Sequence, residues 1–511
     1  MLQTGPGPEV SLRMFRLVSS FSAALACLGA AAGAERIRAF CIDFNWGPGG
    51  INGFAGPGVW ADASPKKHVA WYKALGCNTV QTFAVSSDGY AWYKGGSVPA
   101  QPGLKSDFLT EVVALGHKAG MKVMGYFCVG ANTRWGLEHP DLSYGTPAAP
   151  HIPFTTEYLD FLSASIADVL RRTHMDGFMI DWVWCPVGPD GHTKWLPCER
   201  QMYGELMHEP FPGTDRITPA RELEFQRAAI ERCWTRIHAA TKAVDPRCTI
   251  WLSCGDVASP QVANSRMFRE VDWLMNEATD PRAMQRVRAM KGPRTRLVQC
   301  VVGWGAGHDA RKIVLDPANR DLGIYGFSPP GPDSLPLPVE TYRSKPISAF
   351  QGNDRNIAVL ARYYTGASVE EVVEPSADAS VRLMPDTVTI LGESPVVSEG
   401  QIGNWEDGRD SLRWRFRVPA PGLYELTATY ACIPSAAGHG LDVRVGGGQL
   451  AFTSQATGQT WRDYKSFPLG RVDLRAGEQV LEIHTMHGKL WKPVSLRELD
   501  LAPVPTARPA G

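Results

Sequence analysis

Between Ile37 and Tyr364 the chain alternates short apolar runs with longer stretches whose apolar residues recur every three or four positions. The runs are Ile37–Trp46, Asn78–Ser86, Lys122–Gly130, Gly177–Trp184, Cys248–Cys254, Val271–Glu277, Arg296–Trp304 and Leu322–Ser328. Near-continuous apolar runs fit parallel strands covered on both faces. The stretches between them read as helices. Ser64-Pro65 offers a cap and a first-turn proline ahead of His68–Leu75. Phe108–Ala119 and Tyr158–His174 carry an apolar stripe at helical spacing, and Pro219–Val244 predicts one long helix. Eight strand–helix repeats predict an α/β fold, a (β/α)8 TIM barrel over residues 35–370. The alternative, an open doubly wound sheet, would carry a glycine-rich phosphate loop after its first strand. This chain has Asp43, Asn45 and Trp46 there instead.

The pattern changes beyond the barrel. Residues 371–387 show little periodicity and read as a linker, and residues 388–505 switch to period two. Leu412–Val418 alternates strictly and is turned by Pro419-Ala-Pro-Gly422. Leu423–Tyr430, Gly440–Val445, Gly470–Leu474 and Val480–Ile483 continue the pattern, which predicts an all-β sandwich.

Composition narrows the function classes. The 511 residues hold 52 Lys+Arg against 52 Asp+Glu, so no basic excess exists for a phosphate backbone and nucleic acid is not an expected partner. Residues 1–34 resemble a signal peptide: Arg16, then an Ala-rich apolar stretch Leu17–Ala32, then Ala32-Gly33-Ala34 as a small-x-small cleavage site. The expectation is export to a periplasmic or extracellular space, with either Met1 or Met14 as the start. Cys27 is a poor lipid-anchor site, because Ala24 stands where a larger aliphatic residue is usual. No later run is long and apolar enough to predict a membrane span. Among the eleven cysteines, Cys41, Cys128, Cys254 and Cys300 sit in apolar runs and read as small buried hydrophobes. Cys185 and Cys198 flank one irregular loop and are a candidate disulfide in an oxidising compartment.

In a barrel of this kind chemistry sits at the C-terminal ends of the strands. Those ends carry carboxylates and many aromatics, as a sugar site needs. Rings stack on pyranose faces, one carboxylate attacks the anomeric carbon or activates water, and another protonates the leaving oxygen. Asp181 is the first candidate, because it interrupts the otherwise apolar Gly177–Trp184 run, where a carboxylate is expensive unless it reaches a cavity. Its structural alternative is a pairing with a barrel arginine. Glu277 is the preferred acid/base, with Glu199 and Asp256 as alternatives. A carboxyl separation of about 5–5.5 Å would imply retention and about 6.5–9.5 Å inversion. Candidate substrate-binding residues are Asp43, Asn45, Trp46, Asp88, Tyr90, Trp92, Tyr126, Trp135, Trp182, Trp184, Asn276 and Trp304. The expected partner is an oligo- or polysaccharide.

Ser87-Asp-Gly-Tyr-Ala-Trp-Tyr93, Gly125-Tyr-Phe127 and Asp176-Gly-Phe-Met-Ile-Asp-Trp182 resemble the barrel of the α-L-fucosidases of glycoside hydrolase family 29. They resemble more closely a set of hypothetical glycosyl hydrolases related to those enzymes. The resemblance runs over roughly residues 37–330. It implies a retaining glycosidase that needs no metal or organic cofactor, with Asp181 as nucleophile, and with the signal segment the expectation is a secreted one. The acid/base varies in place among such enzymes, so Glu277 stays an inference. Fucosidases commonly carry His-His-Asp-Gly after the second strand, where this chain has Ser86-Ser-Asp-Gly89. That departure leaves two alternatives open: a glycosidase for another sugar, such as an α-galactoside, and a catalytically silent glycan-binding protein. Ala420–Tyr424, Thr457–Tyr464 and Leu474–Gly477 resemble carbohydrate-binding modules of the family 6 and 35 type, with Trp461 as the candidate stacking residue. A structural calcium ion occurs in such modules, but no ligand set for one is evident here.

Overall fold

The computed structural model describes residues 35–50, 53–145, 149–278, 281–301, 309–392, 394–485 and 493–505. The expected signal segment with Met14 and Cys27, and the candidate Trp304, lie outside the described residues. Eight strands form a closed parallel barrel: β1 Arg38–Ile42, β2 Thr79–Gln81, β3 Lys122–Cys128, β4 Gly177–Asp181, β5 Thr249–Cys254, β6 Trp273–Asn276, β7 Arg296–Cys300 and β8 Gly323–Ser328. Each lies inside one of the eight apolar runs. The helices surround them. Ser64 caps Pro65–Leu75 by accepting from the Lys67 N–H, and Thr155 and Thr218 do the same for Thr156–Thr173 and Pro219–Val244.

The barrel closes where β8 pairs with β1, a seam registered Ala39 to Tyr325 and Cys41 to Phe327. The Tyr364 hydroxyl, just past the helix Gly352–Tyr363, reaches the Ala39 carbonyl at 2.9 Å and the Ile324 carbonyl at 3.0 Å, one on each side of that seam. Arg36 adds a bond from Nε to the Leu322 carbonyl at 2.6 Å.

Two separate apolar cores are present, one running from Ile37 to Val369 and one from Val381 to Leu501. The second lies between two antiparallel-rich sheets of six strands each. Within residues 371–387, expected as a linker, Val372–Val373 pairs with the strand Ser411–Val418 and Val381–Leu383 pairs with Ser495–Pro503. The irregular-looking segment is therefore partly sheet, because strands of two or three residues are too short to show a period. The barrel and sandwich meet through Lys312, whose ammonium donates to the Pro395 carbonyl, and Arg355, which donates to the Asp386 carbonyl. No helix among the described residues is long and apolar enough to cross a membrane. Cys185 and Cys198 do not form a disulfide; the Cys185 thiol donates to the Gln226 carbonyl at 3.4 Å.

Candidate active site

A cavity of about 210 Å³ opens at the C-terminal ends of the barrel strands. Its lining follows the strand alternation. Gln81 and Phe83, Tyr126 and Cys128, Met179 and Asp181, Met275 and Glu277, and Tyr325 and Phe327 all face it, each pair two residues apart. Successive side chains in a strand point to opposite faces, so a polar residue facing inward at a strand end brings its i−2 neighbour into the same cavity. Asp43, Asn45, Trp46, Phe54, Ser87, Trp182 and Ser253 complete the lining.

Asp181 ends β4. Its Oδ2 accepts the Tyr126 hydroxyl at 3.0 Å and its Oδ1 accepts the Trp182 backbone N–H at 2.9 Å. No arginine or lysine among the described residues pairs with it, which removes the structural alternative of a barrel ion pair. Trp182 itself adopts a left-handed backbone, φ +57°, a costly conformation for a bulky residue. The same twist lays the indole against His151, ring centroids 5.3 Å apart, and against Trp184, also at 5.3 Å. Glu277, just past β6, accepts the Ser253 hydroxyl from β5 on Oε2 at 3.2 Å. Burial raises the Asp181 pKa well above the ordinary carboxylate range; Glu277 raises it further and Asp43 adds to this, against the Trp182 and Tyr126 donors. Two carboxylates that repel each other in a shared enclosure hold one proton between them over a wide pH range. The Tyr126 hydroxyl and the Trp182 N–H both favour the ionised form of Asp181.

Asp43 follows β1. Burial pushes its pKa up to about 7 and Glu277 adds to that, against the Asn45 N–H on Oδ1 at 2.9 Å and the Trp46 indole N–H on Oδ2 at 3.2 Å. Across the cavity floor the Tyr325 hydroxyl donates to Gln81 Oε1 at 2.8 Å. The aromatic lip is formed by Trp46 and Phe54, 5.2 Å between centroids, and by Phe54 and Trp182 at 5.7 Å.

The structure thus brings Asp43, Asn45, Trp46, Tyr126, Asp181, Trp182 and Glu277 together. Other expected site residues lie elsewhere. Asp88 is locked in its own loop by Ser86 at 2.7 Å, Gln101 at 2.7 Å and the Tyr90 N–H at 3.0 Å. Trp92 is buried and stacks on Phe44 at 4.1 Å; it is a core residue. Tyr90 lies under Arg134, and Trp135 is buried against His139. Asn276 faces away from the cavity, as strand alternation requires of the neighbour of Glu277, and bonds Gln299 Oε1 at 3.1 Å. Trp184 is exposed and reaches the site only through Trp182. Neither alternative acid/base lines the cavity. Glu199 is buried beneath the loop after β4, where it accepts from the Tyr144 hydroxyl at 2.6 Å and the Leu196 N–H at 2.8 Å. Burial raises its pKa to about 7, but it serves the start of the helix Pro197–Met207. Asp256 is an exposed turn cap for Ala258. Phe54, Phe83, Cys128, Met179, Met275 and Phe327 were not among the expected residues. All but Phe54 follow from applying the period-two rule to the strand ends, and Phe54 comes from an irregular loop with no such signal.

In the sandwich, Trp461 is half-buried and lines a second cavity of about 270 Å³ with Gln401, Gly403, Asn404, Val494 and Ser495.

Residues 64–182 match the model of a family described as hypothetical glycosyl hydrolase 6. That span contains all three motifs that carry the resemblance read from sequence and ends on Trp182 itself. No protein of curated function matches the chain. Among solved structures, α-L-fucosidase isoenzyme 2 from Paenibacillus thiaminolyticus is 16% identical with a TM-score of 0.45, over 68% of this chain and 53% of that one. The chain therefore spans about half the length of that fucosidase. The PgaB (BpsB) glycoside hydrolase domain from Bordetella bronchiseptica is 15% identical with a TM-score of 0.42, over 59% of this chain and 96% of that one. A family 35 carbohydrate-binding module from Clostridium thermocellum is 16% identical with a TM-score of 0.19, over 24% of this chain and 98% of that one.

Proposed function

We propose that this protein is an exported glycoside hydrolase acting by double displacement on an oligo- or polysaccharide. The observation that carries the reading is the Asp181–Glu277 pair. Two carboxylates from β4 and the end of β6 face one aromatic-lipped cavity, and the charge of Glu277 raises the proton affinity of Asp181. Asp181, held ionised by Tyr126 and the Trp182 N–H, attacks the anomeric carbon. Glu277 gives its proton to the leaving oxygen. With that proton gone, Glu277 takes one from the incoming water, which breaks the glycosyl–Asp181 ester and restores the starting state. The Trp182 N–H on Oδ1 and the Tyr126 hydroxyl on Oδ2 hold the carboxylate in one orientation, and each oxygen keeps a further lone pair for the attack.

A fucoside is the first substrate to try, and an α-galactoside the second, because Ser86-Ser87 replaces the histidine pair of the fucosidases. Purified wild type, Asp181→Asn and Glu277→Gln are compared on an aryl-glycoside panel. Hydrolysis of at least one glycoside by wild type, its loss in both variants, and azide rescue of Asp181→Gly support the assignment. Undiminished turnover in both variants sinks it.

A further inference from the structure

The barrel cavity has a second polar wall that the Asp181–Glu277 chemistry does not require. It consists of Asp43 and Asn45 after β1 and Ser87 after β2. Each oxygen of Asp43 already accepts one neutral N–H, and no Lys, Arg or His among the described residues pairs with it. Asn45 is 6% exposed and Ser87 3% exposed. The Ser87 backbone N–H donates to Asn45 Oδ1 at 2.9 Å, which fixes the amide so that its NH2 is left over. Among the described residues neither that NH2 nor the Ser87 hydroxyl has a protein partner, and both residues face the cavity. Both groups sit on residues that are otherwise packed away and open only on the cavity, so beside the Asp43 carboxyl they describe the outline of a ligand.

We infer that this wall is a specificity site selecting a sugar ring that bears a free, protonated amine next to a hydroxyl. Asp43 takes the ammonium, and Asn45 and Ser87 take the neighbouring hydroxyl. The inference rests on reading the cavity as a sugar site. A neutral ring leaves the Asp43 charge unmatched. A uronate or sulfated ring brings a further negative charge into an acid-lined cavity beside Asp43 and Asp181 and is disfavoured. An N-acetyl group removes the cation and adds bulk where Trp46 packs.

The test is a binding measurement, independent of turnover. Glucosamine, galactosamine and mannosamine are titrated calorimetrically into the full chain, each against its neutral parent hexose and its N-acetyl form. One amino sugar is expected to bind about ten-fold tighter than its parent. Asp43→Asn, checked for folding by near-ultraviolet circular dichroism, erases that preference. Ser87→Ala weakens amine and parent alike and keeps it. Absence of any amine preference in wild type overturns the inference without recourse to variants, and so does a preference that survives Asp43→Asn. The two readings fail separately. A protein that cleaves neutral glycosides with no amine preference keeps the hydrolase and loses this wall. A protein that cleaves nothing but binds amines through Asp43 does the reverse.

Discussion

Two cavities in this molecule combine tryptophan with side-chain amides, and they differ in one respect that matters. The barrel cavity sets Trp46, Trp182, Asn45 and Gln81 around Asp43, Asp181 and Glu277. The sandwich cavity sets Trp461 among Gln401, Asn404 and Ser495 and has no carboxylate in its described lining. Aromatic faces and amides suffice to hold a polyol; bond cleavage needs groups that exchange protons or form a covalent bond. The difference also shows in what each site costs the fold. In the sandwich Gln401 is tied by the Ser495 hydroxyl at 2.7 Å, and the left-handed backbone falls on Asn404, φ +55°, a residue type that adopts it at little cost. The barrel site encloses three acids that repel one another and bends Trp182 into a left-handed turn. Unfavourable electrostatics and backbone strain gathered in one place are the mark of a site kept for chemistry.

The contrast is broken most decisively at Asp181. Asp181→Asn is expected to lower kcat on the best aryl glycoside by about four orders of magnitude, measured by steady-state kinetics. Glu277→Gln is expected to lose about two to four orders, with the smaller loss on substrates whose leaving group needs no proton. Trp92→Ala tests the opposite claim, that an aromatic near the strand ends is core rather than site. It should cost about 3–5 kcal/mol in denaturant unfolding while the folded fraction keeps its KM.

Asp43→Asn is expected to change the pH dependence of stability. The folded pKa of about 7 lies above the usual carboxylate value, so folding takes up a proton, and the stability contribution is complete below about pH 4 and lost as pH rises through 7. Asparagine never charges. The variant's melting temperature should therefore gain on wild type between pH 4 and pH 8 and level off above that. A gain that grows toward acid would show that Asp43 is a charge-stabilised carboxylate instead. Trp461→Ala should produce the smallest effect: unchanged aryl-glycoside turnover, with retention on insoluble polysaccharide weakened by less than about ten-fold.

The barrel was legible because eight buried parallel strands must each be an apolar run, and runs of that kind survive reading one residue at a time. Asp181 was legible for the complementary reason: it is the wrong residue for its run. What sequence did not disclose was direction. Asn276 and Glu277 are adjacent, yet only one faces the cavity, and that follows from strand register. Asp88 and Trp92 sit in a stretch that resembles a sugar-binding loop, but here the loop folds back and satisfies Asp88 with its own Ser86 and Gln101. Glu199 stands in a long loop and reads as free, whereas the loop buries it against Tyr144. Each miss concerns contacts made by residues far apart in sequence or by an irregular turn, which periodicity does not encode.

The Tyr364 hydroxyl that grips the carbonyls of Ala39 and Ile324 ties the order of synthesis to the order of assembly. The first stave waits for its last neighbour until nearly three hundred further residues have been made. Until then its unpaired edge is available to any passing strand, and bringing the two ends together carries the entropy cost of a very long loop. A chain halted just short of residue 364 would hold every reacting group described above and still lack the clasp that keeps them facing one another.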